Sequence, residues 1–151
     1  MIQGVKVKEL KLNCDERGML FEVLRSDEEL FQQFGQAYIT SSFPGVVKAW
    51  HMHKLQTDNL CLIKGCVKFV LYDARDGSST HGEINEIFPR DDRRLLIQIP
   101  PGIYHGFKNI GHDDALVLNI PTHVYQYDKP DEYRLDPHQS RIPYDWSRKD
   151  G

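Results

Sequence analysis

The chain has 151 residues, 40% of them apolar and 27% charged, with 11 Gly and 8 Pro, a composition that fits one globular domain and excludes a disordered or collagen-like chain. Its formal net charge of -3 withholds the basic surface that neutralising nucleic-acid phosphates requires, so no nucleic-acid partner is expected.

Taken in chain order, Met1 to Leu12 alternates charged and apolar side chains. It has neither the apolar run of a secretory signal nor the length of a membrane span, so a cytoplasmic protein without a membrane partner is expected. Val5, Val7, Leu10 and Leu12 predict an early strand with a register break near Lys8, and the turn Asp15-Glu16-Arg17-Gly18 leads to a second strand, Met19 to Leu24. Asp27 to Phe34 is the one segment that reads as a helix. Strands then follow at Gln36 to Ser42, Val46 to Met52, Asn59 to Lys64, Cys66 to Tyr72, Glu83 to Phe88, Leu95 to Ile99 and Ala115 to Ile120, with Gly, Pro, Asp and Ser clusters between them. Many short strands at this spacing imply a sandwich or barrel. Cys14, Cys61 and Cys66 form no C-x-x-C spacing and are read as reduced thiols, the last two as small buried hydrophobes. The last thirty residues interleave Tyr125, Tyr127, Tyr133, Tyr144 and Trp146 with Asp and Pro. Such a segment either wraps over the barrel mouth or a partner subunit, or packs as an ordered coil on the outside. No repeat or linker divides the chain, and one domain is expected over residues 1–151.

The chemistry concentrates on histidine. His51 and His53 lie two apart at the end of a predicted strand, so both side chains leave one face of the sheet. Gly45 precedes them, Asp58 and Gly65 follow, and Pro100, Gly102, His105 and Asn109 form a second group. This pattern resembles the cupin superfamily, whose first motif reads Gly, His-x-His, an acidic residue, Gly and whose second reads Pro-x-Gly, His, Asn. The resemblance implies an all-β, cupin-type jelly-roll barrel, here with one short helix and an aromatic C-terminal segment. Two positions depart from the pattern: Asp58 stands where metal-binding cupins carry Glu, and Arg94 where the second motif opens with Gly. Imidazoles from His51, His53 and His105 with the Asp58 carboxylate would suit a divalent metal such as Zn, Mn, Fe or Ni. Without a metal the same groups make an acid/base pocket.

A narrower resemblance covers about Asp15 to Trp146. The segments Asp15-Glu16-Arg17-Gly18, Gly45-Val46-Val47-Lys48-Ala49-Trp50-His51 and Ile99-Pro100-Pro101-Gly102-Ile103-Tyr104-His105-Gly106-Phe107, with the Tyr125 to Trp146 tail, resemble the dTDP-4-dehydrorhamnose 3,5-epimerase family, itself a cupin-fold branch. The resemblance implies a homodimer that epimerises a nucleotide-linked 4-keto-6-deoxy sugar without a cofactor. It places the base on His51, the aspartate that holds it on Asp136, and the diphosphate contact on Lys48. Arg17 and Glu22 match residues that reach the partner subunit's nucleotide, and Gln36, His53, His105 and Asn119 complete the substrate-binding set. Three matches differ in kind. Asp58 replaces a lysine near the developing enolate, and a negative group cannot stabilise an enolate. Asn119 replaces the tyrosine acid and cannot deliver a proton, and His53 replaces a glutamine. Tyr125 or Tyr104 would then supply the acid, Tyr104 with the weaker claim because strand alternation turns it from the face of His105.

Three readings follow. One is a nucleotide-sugar epimerase or isomerase with His51 as base, and another a metal-dependent cupin enzyme using His51, His53, His105 and Asp58. The last is a sugar-binding cupin that has lost its chemistry.

Overall fold

Alternation along the strands sorts the apolar side chains into one inner core and two outer clusters in a computed structural model that describes residues 1–150. The described residues form β1 (Lys6–Glu9), β2 (Asn13–Asp15), β3 (Gly18–Leu20), β4 (Tyr38–Ser42), β5 (Val47–Met52), β6 (Asp58–Lys64), β7 (Val67–Asp73), β8 (Ile84–Ile87), β9 (Leu95–Ile99), β10 (Ile103–Asn109), β11 (Ala115–Asn119) and β12 (Tyr133–Arg134). One antiparallel sheet runs β1-β9-β6-β11-β4 and the other β12-β5-β10-β7-β8, while β2 and β3 make a separate hairpin. This is the expected all-β jelly-roll architecture.

Period two decides the packing. Val67, Phe69 and Leu71 of β7, Leu95, Ile97 and Ile99 of β9, and Leu60 and Leu62 of β6 point inward to the shared core. The residues between them point out. Val70 joins Trp50, Tyr104, Ile142 and Trp146 on the outer face of the second sheet, and Cys61 and Leu96 join Leu10 on the outer face of the first. Both expectations for the C-terminal segment therefore hold, for different parts of it. Ile142 to Trp146 cover the outside of the second sheet, and the earlier residues reach the cavity described below.

Two sequence expectations are corrected. Asp27 to Phe34 contains turns and no helix, closed by Glu28 N–H to the Arg25 carbonyl and Phe31 N–H to the Glu28 carbonyl. A segment this short falls below the roughly 12–15 residues that sustain a helix on its own. Its side chains are occupied elsewhere, with Glu28 on Lys8, Glu29 on Lys6 and Leu30 packed against the outer cluster of the first sheet. The strand expected over Met19 to Leu24 stops at Leu20, beyond which Phe21, Val23 and Leu24 cover that same cluster. The three cysteines are free, and burial pushes the Cys61 thiol up to about 11. No helix among the described residues is long and apolar enough to cross a membrane.

Strand β10 joins the two halves of the site. It pairs with β7 along its whole length and with β5 at His105↔His51, with a register shift before Phe107↔Lys48. Gly106 sits at the shift, where an added Cβ would come within 2.2 Å of the Ala49 Cβ. The absence of a side chain lets β5 and β10 approach closely enough to set the two histidines side by side.

Candidate active site

A cavity of ≈ 540 Å³ opens between the sheets. Tyr38, Asp58 and Asn119 line it from the first sheet, on β4, β6 and β11, and His51 and His105 line it from β5 and β10 of the second. His53 follows β5, and Tyr125, Glu132 and Arg134 come from the C-terminal segment. The His51 and His105 rings lie 6.4 Å apart, and those of His53 and His105 5.8 Å.

Strand β12 holds both histidines of the His-x-His pair. It lies antiparallel on β5, with Tyr133 opposite Met52 and Arg134 opposite His51. Glu132 thereby reaches His51 Nδ1 at 3.0 Å, while Arg134 Nη2 donates to the other Glu132 oxygen at 2.9 Å. The Asp131 carboxylate accepts the backbone N–H groups of Lys54, Leu55 and Gln56 at 2.9, 2.8 and 3.2 Å, and its carbonyl meets His53 Nδ1. The carboxylate on His51 is thus Glu132, not Asp136 as the resemblance implied. The exposed Asp136 instead accepts the N–H groups of His138 and Gln139 at 2.7 and 2.8 Å.

Burial and then the charge on His105 lower the His51 pKa from its ordinary value, and Glu132 offsets only part of this. The ring is neutral near pH ~7. With Nδ1–H directed at Glu132, Nε2 is the basic nitrogen. Burial pushes the Glu132 carboxyl up, but its bonds to Arg134 and His51 outweigh that and keep it ionised.

Asp58 is the second node. Its Oδ2 lies 3.3 Å from His53 Nε2 and 3.1 Å from His105 Nε2, and its Oδ1 accepts from Gln56 Nε2 at 2.8 Å and Asn119 Nδ2 at 2.9 Å. Burial raises this carboxyl, yet these partners prevail and hold it at about 2. Oxygens face both nitrogens of His105, since its Nδ1 lies 3.1 Å from the Ile103 carbonyl. The ligand atoms of His53, Asp58 and His105 lie within 4.8 Å of one another. This trio fits a divalent ion through two imidazoles and a carboxylate. His51 stands apart from it, which corrects the four-residue metal set read from the sequence.

The other expected residues divide. Lys48 and Gln36 line the cavity, and Gln36 Oε1 accepts the Tyr125 N–H at 3.2 Å. Tyr125 lines it too, its ring edge-on to Tyr127 at 5.2 Å. Tyr104 turns outward to Trp50 and Trp146, as alternation required. Arg17 pairs with Asp15 in the exposed β2–β3 hairpin and Glu22 with Arg25, both away from this chain's own cavity. Sequence reasoning missed Asp131, Glu132, Arg134 and Tyr38. The contacts of Asp131 and Glu132 with the histidine segment span 75 to 81 residues and leave no local signal. Tyr38 lies on the expected strand Gln36 to Ser42, two residues after Gln36, but only the β4–β11 register sets it opposite Asn119.

Residues 13–133 match the polysaccharide biosynthesis C-terminal domain. The chain belongs to that family. It is 40% identical over 148 residues to the probable low-salt glycan biosynthesis epimerase Agl13 of Haloferax volcanii, covering 97% of this chain and 95% of that protein. Its fold is similar to that of a dTDP sugar isomerase from Desulfovibrio desulfuricans G20, with a TM-score of 0.92 and 33% identity over 99% of this chain and 94% of that one. It is also similar to the dTDP-6-deoxy-D-glucose-3,5-epimerase RmlC of Legionella pneumophila, solved with dTDP-4-keto-L-rhamnose. There the TM-score is 0.82 and the identity 26%, over 94% of this chain and 78% of that one. This member of the polysaccharide biosynthesis family is thus a divergent, dTDP-4-dehydrorhamnose 3,5-epimerase-like protein.

In this family member, Asp131 is expected to anchor the C-terminal segment. Asp131→Ala leaves three N–H groups without their acceptor and is expected to destabilise the fold by about 1–3 kcal/mol. Thermal melting should fall, and limited proteolysis should begin between Pro121 and Pro130; unchanged melting and cleavage would show that the anchor is elsewhere.

Proposed function

We propose that the chain is an epimerase of a nucleotide-linked 4-keto-6-deoxy sugar that works by proton transfer, with His51 as the base. One observation carries this reading: an imidazole held through Nδ1 by Glu132, its pKa lowered by burial, lines a cavity that also holds cationic side chains. The C–H next to a ketone is acidic because the electron pair it leaves behind moves onto the carbonyl oxygen as an enolate. His51 Nε2 takes that proton, and Glu132 stabilises the imidazolium that forms. Returning a proton to the opposite face inverts the carbon. Lys48 and Arg134 line the same cavity and suit the diphosphate, Lys48 as a point charge and Arg134 as a fork already engaged by Glu132. The Asp58 charge, unwelcome beside an enolate, is taken up by His53, His105, Gln56 and Asn119. Proton transfer by His51 uses a side chain of the protein itself, so this reading calls for no cofactor.

The trio His53, Asp58 and His105 favours a second reading, a metal-dependent cupin enzyme. A divalent ion there would polarise the ketone.

We also propose a homodimer. Arg17 and Glu22 are exposed and lie away from their own chain's cavity, so a role for either at a nucleotide requires the partner subunit.

Incubation of the purified protein in D₂O with dTDP-, UDP- and GDP-linked 4-keto-6-deoxyhexoses, followed by NMR, tests the function. The expected result is deuterium next to the ketone and a new epimer from at least one of them. His51→Asn should lower exchange by about 10²–10⁴-fold, and dialysis against chelator should leave the wild-type rate unchanged. Loss of activity on chelation, restored by a single metal, would favour the metal reading; no exchange with any sugar would leave a binding protein. Light scattering is expected to give the mass of two chains, and the mass of one chain would remove Arg17 and Glu22 from the site.

A further inference from the structure

Inversion requires a proton donor on the wall opposite His51, and Asn119, at the position where the related family carries tyrosine, has no proton to deliver. We propose that Tyr38 is the general acid, its phenol standing one strand over from Asn119 and facing His51 across the cavity. This assignment rests on the epimerase reading and adds to it the residue that completes the reaction.

The register supplies the first argument. Tyr38 is the residue directly opposite Asn119 in the β4–β11 pair, so the two side chains share one face of the first sheet at the same level. His51 lies on β5 of the second sheet, and all three residues line the one cavity. A sugar ring held between the sheets therefore has the imidazole on one face and the phenol on the other.

Hydrogen bonding supplies the second. The Asn119 side chain is fully committed: its Oδ1 accepts the Asn59 N–H at 3.1 Å, and its Nδ2 donates to Asp58 Oδ1 at 2.9 Å and to the Tyr38 hydroxyl oxygen at 2.9 Å. A flipped amide would set its oxygen against the Asp58 carboxylate, so the donor direction is fixed. Tyr38 therefore accepts from Asn119, and its own proton remains for the substrate. The same Asn119 N–H meets the negative charge that grows on the phenol oxygen as that proton leaves. Tyr125 also lines the cavity, but no hydrogen bond fixes its hydroxyl among the described residues, and its ring rests on Tyr127 instead.

The step balances without a co-reactant. His51 Nε2 takes the proton from the carbon next to the ketone, and the electron pair passes to the carbonyl oxygen. The enolate then collapses, forming a new C–H bond with the phenol proton on the opposite face and leaving a phenolate. Solvent takes the proton from the imidazolium and returns one to the phenolate.

Tyr38→Phe removes one oxygen, and the readout is the split between exchange and inversion in D₂O on whichever sugar nucleotide the wild type turns over. A base without an acid still removes the proton and returns deuterium to the same face. In Tyr38→Phe, exchange with retention is expected to persist within about 3-fold while the inverted product falls by about 10²-fold or more. Tyr125→Phe, which alters the cavity wall, is expected to keep the wild-type ratio of inversion to exchange whatever its overall rate. A merely structural loss would lower exchange and inversion together and, like undiminished inversion by Tyr38→Phe, would overturn the assignment; selective loss of inversion in Tyr125→Phe would move the acid to that residue. Absence of exchange in the wild type would instead overturn the epimerase reading, and the role of Tyr38 with it.

Discussion

The site depends on the pairing of β12 with His51 and Met52 on β5. That short ladder brings Asp131 and Glu132 against the two histidines at once, with the Glu132 carboxylate on the His51 ring and the Asp131 carbonyl on the His53 ring. The Asp131 carboxylate then closes the chain behind them by taking three backbone N–H groups. A base must be neutral and correctly tautomeric before it can act. Burial, with His105 beside it, secures the first, and Glu132 secures the second. Without the strap, His51 would be an imidazole at the edge of a sheet with either nitrogen free to carry the proton.

Asp58, Asn119 and His53, the residues that depart from the related epimerases, join one network instead of scattering. Asp58 in place of a lysine would be a buried, unpaired charge, which costs several kcal/mol or more, had it not gathered His53, His105, Gln56 and Asn119 around it. Asn119 in place of a tyrosine turns one amide proton to that carboxylate and the other to Tyr38. Changes that look like losses when taken singly make physical sense as a set. The network around Asp58 also reaches the base, because His105 adds to burial in holding the His51 pKa down.

Most of the fold was legible because its strands alternate cleanly. Leu95 to Ile99 and Ala115 to Asn119 fell within a residue of expectation, and the His-x-His spacing placed His51 and His53 on one face. Asp27 to Phe34 misled because Leu30 and the paired Glu residues imitate a helical face, while their true partners, Lys6 and Lys8, are some twenty residues away. Asp136 misled for a related reason. A carboxylate followed by Pro matched the related family's tail, but the ladder of β12 set Glu132, four residues earlier, on the imidazole. Tyr38 became visible only once the β4–β11 register put it opposite Asn119.

The central claim is that His51 presents an unprotonated Nε2 to the cavity, and NMR of protein labelled with ¹⁵N-histidine measures this directly. The His51 resonances are expected to report the Nδ1–H tautomer at pH ~7.5, with Nε2 titrating only below the ordinary value of about 6.5. A proton on Nε2 at neutral pH, whether as the other tautomer or as the imidazolium, would contradict the assignment of His51 as the base.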